Sequence, residues 1–212
     1  MTFEEHIHTW IENFLSIPNT TFNNLPPCPF AKQAMLENKI QCVELKDIYS
    51  IGIGEYFIAE LENFSYHWPK KKEVVILGCD PQLITSEELS RAVGHANDQF
   101  LHNRGYVALE DHPDEEEKVN EVILNNGQYA IVFLQNSKKL NTARTALQKQ
   151  NYYVNWDAEY YADVNCCPVM NLQNANKSIN NILDTKTLKK FIQFLEKTGI
   201  IQQFLDITTI TN

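Results

Sequence analysis

One apolar run limits the possible folds of this chain more than any other feature: Val74-Val75-Ile76-Leu77-Gly78-Cys79. A strand with no polar position has two apolar faces, so other parts of the chain must cover both of them. Runs of this kind are typical of strands at the centre of a sheet with helices on both sides. The strand is predicted at Glu73 to Cys79. Pro81 is expected to end it, because proline has no backbone N–H to donate to a neighbouring strand.

Hydrophobic spacing predicts the other helices and strands. Alternating or continuous apolar positions predict strands at residues 40–45, 106–109 and 129–134, and leave residues 119–124 ambiguous. Apolar residues three and four apart predict helices at residues 3–16, 31–38, 47–64, 86–104, 138–149 and 185–197. This order predicts an α/β fold, an α+β sandwich, with a central mixed sheet of about four to five strands covered by helices.

Length and composition predict one globular domain. The chain has 212 residues, of which 43% are hydrophobic, so residues 1–212 are predicted to bury a single core. Residues 151–176 are aromatic and asparagine-rich without periodicity, and they predict an irregular segment or a lid. The formal net charge of -9 gives no electrostatic reason to bind nucleic acid or anionic lipid.

Several features favour a cytoplasmic location. No apolar run approaches the roughly 20 residues that span a bilayer, and the first residues lack the basic and apolar regions of a leader. The five cysteines are an odd number, which favours reduced thiols over disulfides. We therefore expect no membrane partner. The expected partner is a small-molecule substrate, and the sequence does not indicate an oligomeric state.

A thiol and a histidine form the first candidate site. Prolines on both sides of Cys28 fix the direction of its backbone. The strand at residues 106–109 leads to His112 and Asp114 at a proline turn. If the two segments meet, His112 activates the thiol and Asp114 or Asp111 orients the imidazole, which gives a nucleophile with its base. The alternative is that Cys28 is a small buried residue behind a proline-rich turn.

Metal binding is the second chemistry open to His112 and Asp114. Joined by His95, or by His102 or Glu110, they would form the two-histidine, one-carboxylate face that holds iron with open positions. Because residues seven apart lie on one face of a helix, His95 and His102 are jointly available. The alternatives are ordinary surface histidines and a solvated acidic turn, since the acidic run lacks the ligand spacing of a calcium loop.

Aromatic residues of the irregular segment supply a candidate substrate-binding surface. Trp156 and Tyr160 carry large apolar rings with polar groups that can hydrogen-bond to a ligand, so they can close over a pocket as a lid. The alternative is that these rings pack the segment against the sheet.

Four motifs resemble those of a known family. They are Cys28-Pro29-Phe30-Ala31-Lys32 after the first helix, a strand with a proline turn and an acidic helix at Val74 to Leu89, His112-Pro113-Asp114 at a strand end, and Asn165-Cys166-Cys167-Pro168. In this order they resemble an uncharacterised bacterial family, the domain of unknown function 1415 type. The resemblance implies a common pocket in which Phe30, Lys32 and Asn165 contact the substrate, and it implies no particular reaction.

Two functional hypotheses follow. The first is a small-molecule enzyme that uses Cys28, His112 and Asp114, either as a thiol-dependent transferase or hydrolase or as an oxidoreductase assisted by a divalent metal such as iron. The second is a non-catalytic binding or assembly protein with an acidic interaction face. Because His112 is expected at a strand end, its replacement by alanine is expected to leave folding largely intact.

Overall fold

The computed structural model of the protein describes residues 1–46, 52–156 and 161. The chain divides into two units, Met1–Cys167 and Pro168–Asn212, and every described residue lies in the first. Several sequence predictions fall outside the described residues: Tyr160, the motif at Asn165 to Pro168, most of the irregular segment or lid at residues 151–176, and the helix at residues 185–197. The single domain over residues 1–212 stays a prediction.

Four strands form a mixed sheet with helices packed on it, and the predicted fold class is confirmed. The strands lie in the order β1 (Ile40–Glu44), β2 (Val74–Cys79), β6 (Ala130–Asn136) and β3 (Tyr106–Asp111). β1 runs parallel to β2, whereas β6 is antiparallel to both of its neighbours. The apolar run forms the inner strand β2, in which Val75, Leu77 and Cys79 are fully buried.

The described residues form five α-helices: α1 Phe3–Trp10, α2 Ala31–Leu36, α3 Ile53–Tyr66, α4 Ser86–Ala96 and α5 Ser137–Lys149. α1 continues as a π-helical turn to Leu15, and α4 continues through a π-helical and a 3-10 turn to Arg104. Gly105 then adopts φ 79°, a left-handed conformation that favours glycine and ends the helix. The predicted helices at residues 3–16 and 86–104 are therefore confirmed.

Successive residues of a strand point to opposite faces of the sheet, and both faces of β2 are apolar. Helices therefore cover both faces. α3 and α4 pack on the face that carries Val75, Leu77 and Val132. α1 packs on the other face, against Ile76 and Ile131. We call these the α3–α4 side and the α1 side.

Gly78 permits the close approach of α1 to β2. The aromatic ring of Phe3 lies directly over Gly78, and a Cβ at this position would overlap the ring. It would also lie 3.2 Å from Cγ2 of Ile131. Glycine is therefore required here by the packing of the first helix on the sheet.

A third apolar cluster packs the aromatic segment against the start of the chain. Tyr152 is 3% exposed and stacks on Phe22 with 5.3 Å between ring centroids. Its hydroxyl donates a hydrogen bond to the carbonyl of Pro27 at 2.5 Å. Val119, in a hairpin of β4 (Lys118–Val119) and β5 (Val122–Ile123), belongs to the same cluster. The described part of this segment thus packs as core.

In the part of the chain that the structure describes, no helix is both long enough and apolar enough to cross a membrane.

Candidate functional site

His112 is a buried residue whose two ring nitrogens both bond to backbone groups. The residue is 3% exposed, directly after β3. Its Nε2 lies 2.9 Å from the carbonyl oxygen of Ile84 and its Nδ1 accepts a hydrogen bond from the backbone N–H of Asp114 at 3.2 Å. Because a carbonyl can only accept, the ring carries its hydrogen on Nε2 and leaves Nδ1 as an acceptor. Neither nitrogen is available to a thiol in this arrangement.

Asp114 holds His112 through its backbone more closely than through its carboxylate. The nearest carboxylate oxygen is 4.0 Å from Nδ1, and the side chain is 77% exposed. An ion pair at this distance and exposure contributes little. The two predicted partners are thus brought together, with the main chain of Asp114 making the hydrogen bond.

Cys28 lies in a turn that leads into α2. Its N–H donates to the carbonyl of Leu15 at 2.9 Å, and its own carbonyl accepts from the N–H of Ala31 at 3.1 Å. Burial raises the pKa of the Cys28 thiol, and hydrogen bonds from the backbone of Phe30 and Ala31 to the sulfur oppose this shift only in part. A raised pKa leaves less thiolate at neutral pH and so lowers nucleophilic reactivity.

The contacts of Cys28 and His112 lie on different sides of the sheet. His112 bonds to Ile84, which belongs to the core of the α3–α4 side. Cys28 bonds to Leu15, which packs on the α1 side. Among the described residues, no hydrogen bond joins the thiol to the imidazole. The catalytic roles of Cys28, His112 and Asp114 stay predictions.

The predicted metal ligands do not converge in the described structure. His95 is exposed in the last turn of α4, and Nε2 of His112 is taken by the Ile84 carbonyl. Within residues 1–46, 52–156 and 161, no group of three histidine, cysteine or acidic side chains could hold a metal ion.

Of the predicted substrate-binding residues, three are described. Phe30 is 47% exposed and Lys32 is also exposed, both beside Cys28 at the start of α2. Trp156 packs against Tyr153, with 4.8 Å between ring centroids, in the third apolar cluster. Phe30 and Lys32 thus lie together, and Trp156 belongs to the packing of the aromatic segment.

A buried carboxylate, Asp111, holds the turn before β6. Asp111 is 6% exposed and accepts three hydrogen bonds: from Nδ2 of Asn125 at 2.5 Å, and from the backbone N–H and Nδ2 of Asn126 at 3.0 and 2.6 Å. Asn126 in turn places its Oδ1 3.1 Å from Nε2 of His6 in α1. The sequence predicts this Asn-Asn-Gly segment as a turn, and it gives no sign that the amides bind Asp111.

Asn125 also holds the segment that follows His112, which we call the acidic loop (residues 113–117). The two hydrogens on its Nδ2 are shared among Asp111 and the carbonyls of His112 and Glu115, which lie 3.1 and 2.8 Å away. Its Oδ1 accepts from the N–H of Glu117 at 2.8 Å. The backbone of Leu124 closes the far end by donating to the Glu117 carbonyl at 2.8 Å. The acidic loop is therefore fixed along its length by hydrogen bonds from the buried side.

The charged groups of the acidic loop face outwards. Asp114, Glu115 and Glu116 are exposed, while Glu110 is half-buried in β3 beneath them. Burial raises the pKa of Glu110, a hydrogen bond from Ser90 opposes the shift, and the charges of Glu115 and Glu117 add to it. The result is an acidic patch in which Glu116 is paired with Nζ of Lys118 at 2.9 Å and Asp114 and Glu115 are also exposed, with Glu110 of raised pKa nearby.

Comparison with models of known protein families gave no match, and comparisons with curated proteins and with solved structures gave none either. The resemblance to the family with the Cys-Pro-Phe-Ala-Lys box stays a prediction.

Proposed function

We propose that this chain is a non-catalytic binding or assembly protein whose interaction face is the acidic loop. The observation that carries this proposal is the complete use of the His112 ring by the backbone of Ile84 and Asp114. A histidine bonded in this way supports the loop from below and has no ring nitrogen to offer a substrate. His112 and the neighbouring Asp111 thus serve the shape of the loop.

Rigidity makes the acidic loop suited to recognition. A loop that is already ordered loses less conformational entropy on binding than a flexible one. Its exposed carboxylates, in a chain of net charge -9, repel anionic surfaces and attract cationic ones. The partner that fits this chemistry is a protein or peptide surface rich in lysine and arginine.

The test is binding of an oligolysine peptide to the full chain, measured by calorimetry at low salt. The double variant Glu115→Lys, Glu116→Lys is expected to weaken binding by about tenfold or more. The matched control is Glu12→Lys, Glu87→Lys, which makes the same change of net charge at two exposed helix positions. Equal weakening by both variants, or no binding by the unchanged protein, would refute the loop as the interaction face.

A second candidate function is thiol chemistry at Cys28 on a small-molecule substrate. It is favoured by the backbone N–H groups of Phe30 and Ala31, which donate to the sulfur, and by the exposure of Phe30 and Lys32, which closely follow Cys28 in the chain. Such an enzyme would act through the thiol without His112 as its base. A form assisted by iron would require His112 to give up the Ile84 carbonyl. The pH dependence of the alkylation of Cys28 separates this candidate from the first.

A further inference from the structure

The dipeptide Asn126-Gly127 combines a reactive sequence with a protected conformation. Gly127 is exposed, has φ 74°, and a Cβ there would meet no atom within 4 Å. Asn126, in contrast, is 8% exposed. We propose that Asn126 is a deamidation site that the fold keeps intact, and that its reaction irreversibly removes the side-chain hydrogen bond from residue 126 to Asp111.

The reaction needs only the chain and water. The backbone nitrogen of Gly127 attacks Cγ of Asn126, so an N–C bond forms and the bond from Cγ to Nδ2 breaks. Ammonia leaves with the proton that the Gly127 nitrogen loses, and a cyclic imide remains. Water then opens either carbonyl of the imide and yields aspartate or isoaspartate. Glycine favours the attack because it has no side chain to obstruct it.

The native hydrogen bonds of Asn126 oppose the attack. Nδ2 donates to Oδ2 of Asp111 at 2.6 Å and to the carbonyl of Tyr129 at 2.8 Å. Oδ1 accepts from the N–H groups of Gln128 and Tyr129 at 3.1 and 2.9 Å. The amide cannot rotate towards the Gly127 nitrogen without breaking several of these bonds. The reaction is therefore confined to molecules in which this turn has opened locally.

Deamidation removes one of the three donors that hold Asp111. An oxygen then stands where Nδ2 donated at 2.6 Å, so two carboxyl groups share one buried position. Two carboxylates at this separation cannot both stay ionised. An isoaspartate product also lengthens the backbone within the turn. The amide hydrogen bond from residue 126 to Asp111 is lost, and only the backbone N–H of residue 126 and Nδ2 of Asn125 remain as donors to Asp111. The hold of the turn on the acidic loop is therefore weakened.

The test follows the conversion of Asn126 by peptide mass spectrometry in the full chain at neutral pH, native and in urea. We expect conversion in the native protein to be at least about tenfold slower than in urea. His6→Ala, which removes the contact to Oδ1 from α1, is expected to speed native conversion several-fold. His8→Ala is the matched control on the same helix and should leave the rate unchanged.

If the Asp111→Ala variant folds, its native rate of deamidation is expected to approach the rate in urea. If it does not fold, the comparison of His6→Ala with His8→Ala decides whether the hydrogen bonds of Asn126 protect it. Similar rates of Asn126 deamidation in the native protein and in urea would contradict the proposal that the fold protects Asn126. A second measurement is amide hydrogen exchange of residues 112–129 in deamidated chains separated by ion exchange. Faster exchange there is expected, and exchange equal to that of the unreacted chain would overturn the proposed loss of contact.

Discussion

At His112, burial and hydrogen bonding together fix what the side chain can do. The sequence predicts a histidine at a strand end followed by a proline turn, and both features are present. A strand-end position alone predicts that His112 is dispensable for folding, whereas its ring is 3% exposed and bonded at both nitrogens. A residue pattern names the groups near a turn but does not say which backbone atoms they reach.

Replacing His112 by alanine is now expected to destabilise the fold, contrary to the expectation from its position alone. The change removes the partner of the buried Ile84 carbonyl and the partner of the part-buried Asp114 N–H. We expect a loss of about 2–4 kcal/mol in the free energy of unfolding, measured by urea denaturation. His95→Ala, at an exposed position on α4, should change stability by less than about 0.5 kcal/mol. Equal effects of the two variants would contradict the supporting role of His112.

The Cys28 thiol is expected to react slowly with alkylating reagents. Because burial raises its pKa, the rise of its alkylation rate with pH should be centred above the value of about 8.5 that is usual for a free thiol. The rate of Cys28 is read by peptide mass mapping, with the urea-unfolded chain as the reference. A rate that is already maximal near neutral pH would instead support thiol catalysis.

Ionisation of Glu110 lowers the stability of the fold, and this effect depends on pH. The pKa of Glu110 is raised in the fold, so above that pKa the charged side chain lowers the free energy of unfolding. Below the ordinary value of 4.5, Glu110 is protonated in the folded and unfolded states alike, and this loss of stability disappears. Glu110→Gln should therefore stabilise the protein at neutral pH, and this gain should shrink as the pH falls towards 4.5. Thermal melting across pH measures it. Glu12→Gln, at an exposed position, should show no such trend, and a gain independent of pH would argue against buried charge.

Among the elements, β2 follows closely from the sequence because its apolar pattern leaves few alternatives. Six apolar residues in succession require cover on both faces, and the structure provides it from α1 on one side and from α3 and α4 on the other. The pattern could not indicate which helix covers which face. That assignment depends on contacts distant in sequence, such as Phe3 over Gly78.

Gly78→Ala tests the packing of α1 on β2. The added methyl group would overlap the Phe3 ring, so we expect a loss of about 1–3 kcal/mol in the free energy of unfolding. Gly94→Ala is the control, because a Cβ there meets no atom within 4 Å and the residue lies inside α4. This second change should stabilise the protein by roughly 0.5–1 kcal/mol. A neutral Gly78→Ala variant would mean that α1 does not approach β2 so closely.

For the whole molecule, the sheet separates the segments that the sequence suggested as partners. The predicted layers and mixed sheet are present, yet Cys28 makes its contacts on the α1 side and His112 on the α3–α4 side. A strand places successive residues on opposite faces, so Asp111 and His112 leave β3 in different directions. Sequence spacing shows that two segments follow strands or prolines, but their convergence depends on register and on which helix covers each face.

The tautomer of His112 tests most directly whether its ring supports the acidic loop through Ile84 and Asp114. Nitrogen chemical shifts of the histidine rings, measured by NMR on the full chain at neutral pH, report which nitrogen carries hydrogen. We predict hydrogen on Nε2, donated to Ile84, and a bare Nδ1 that accepts from Asp114. Hydrogen on Nδ1 with a bare Nε2 would mean that Nε2 does not donate to Ile84 and that Nδ1 does not accept from Asp114, and finding it would contradict the supporting role of His112.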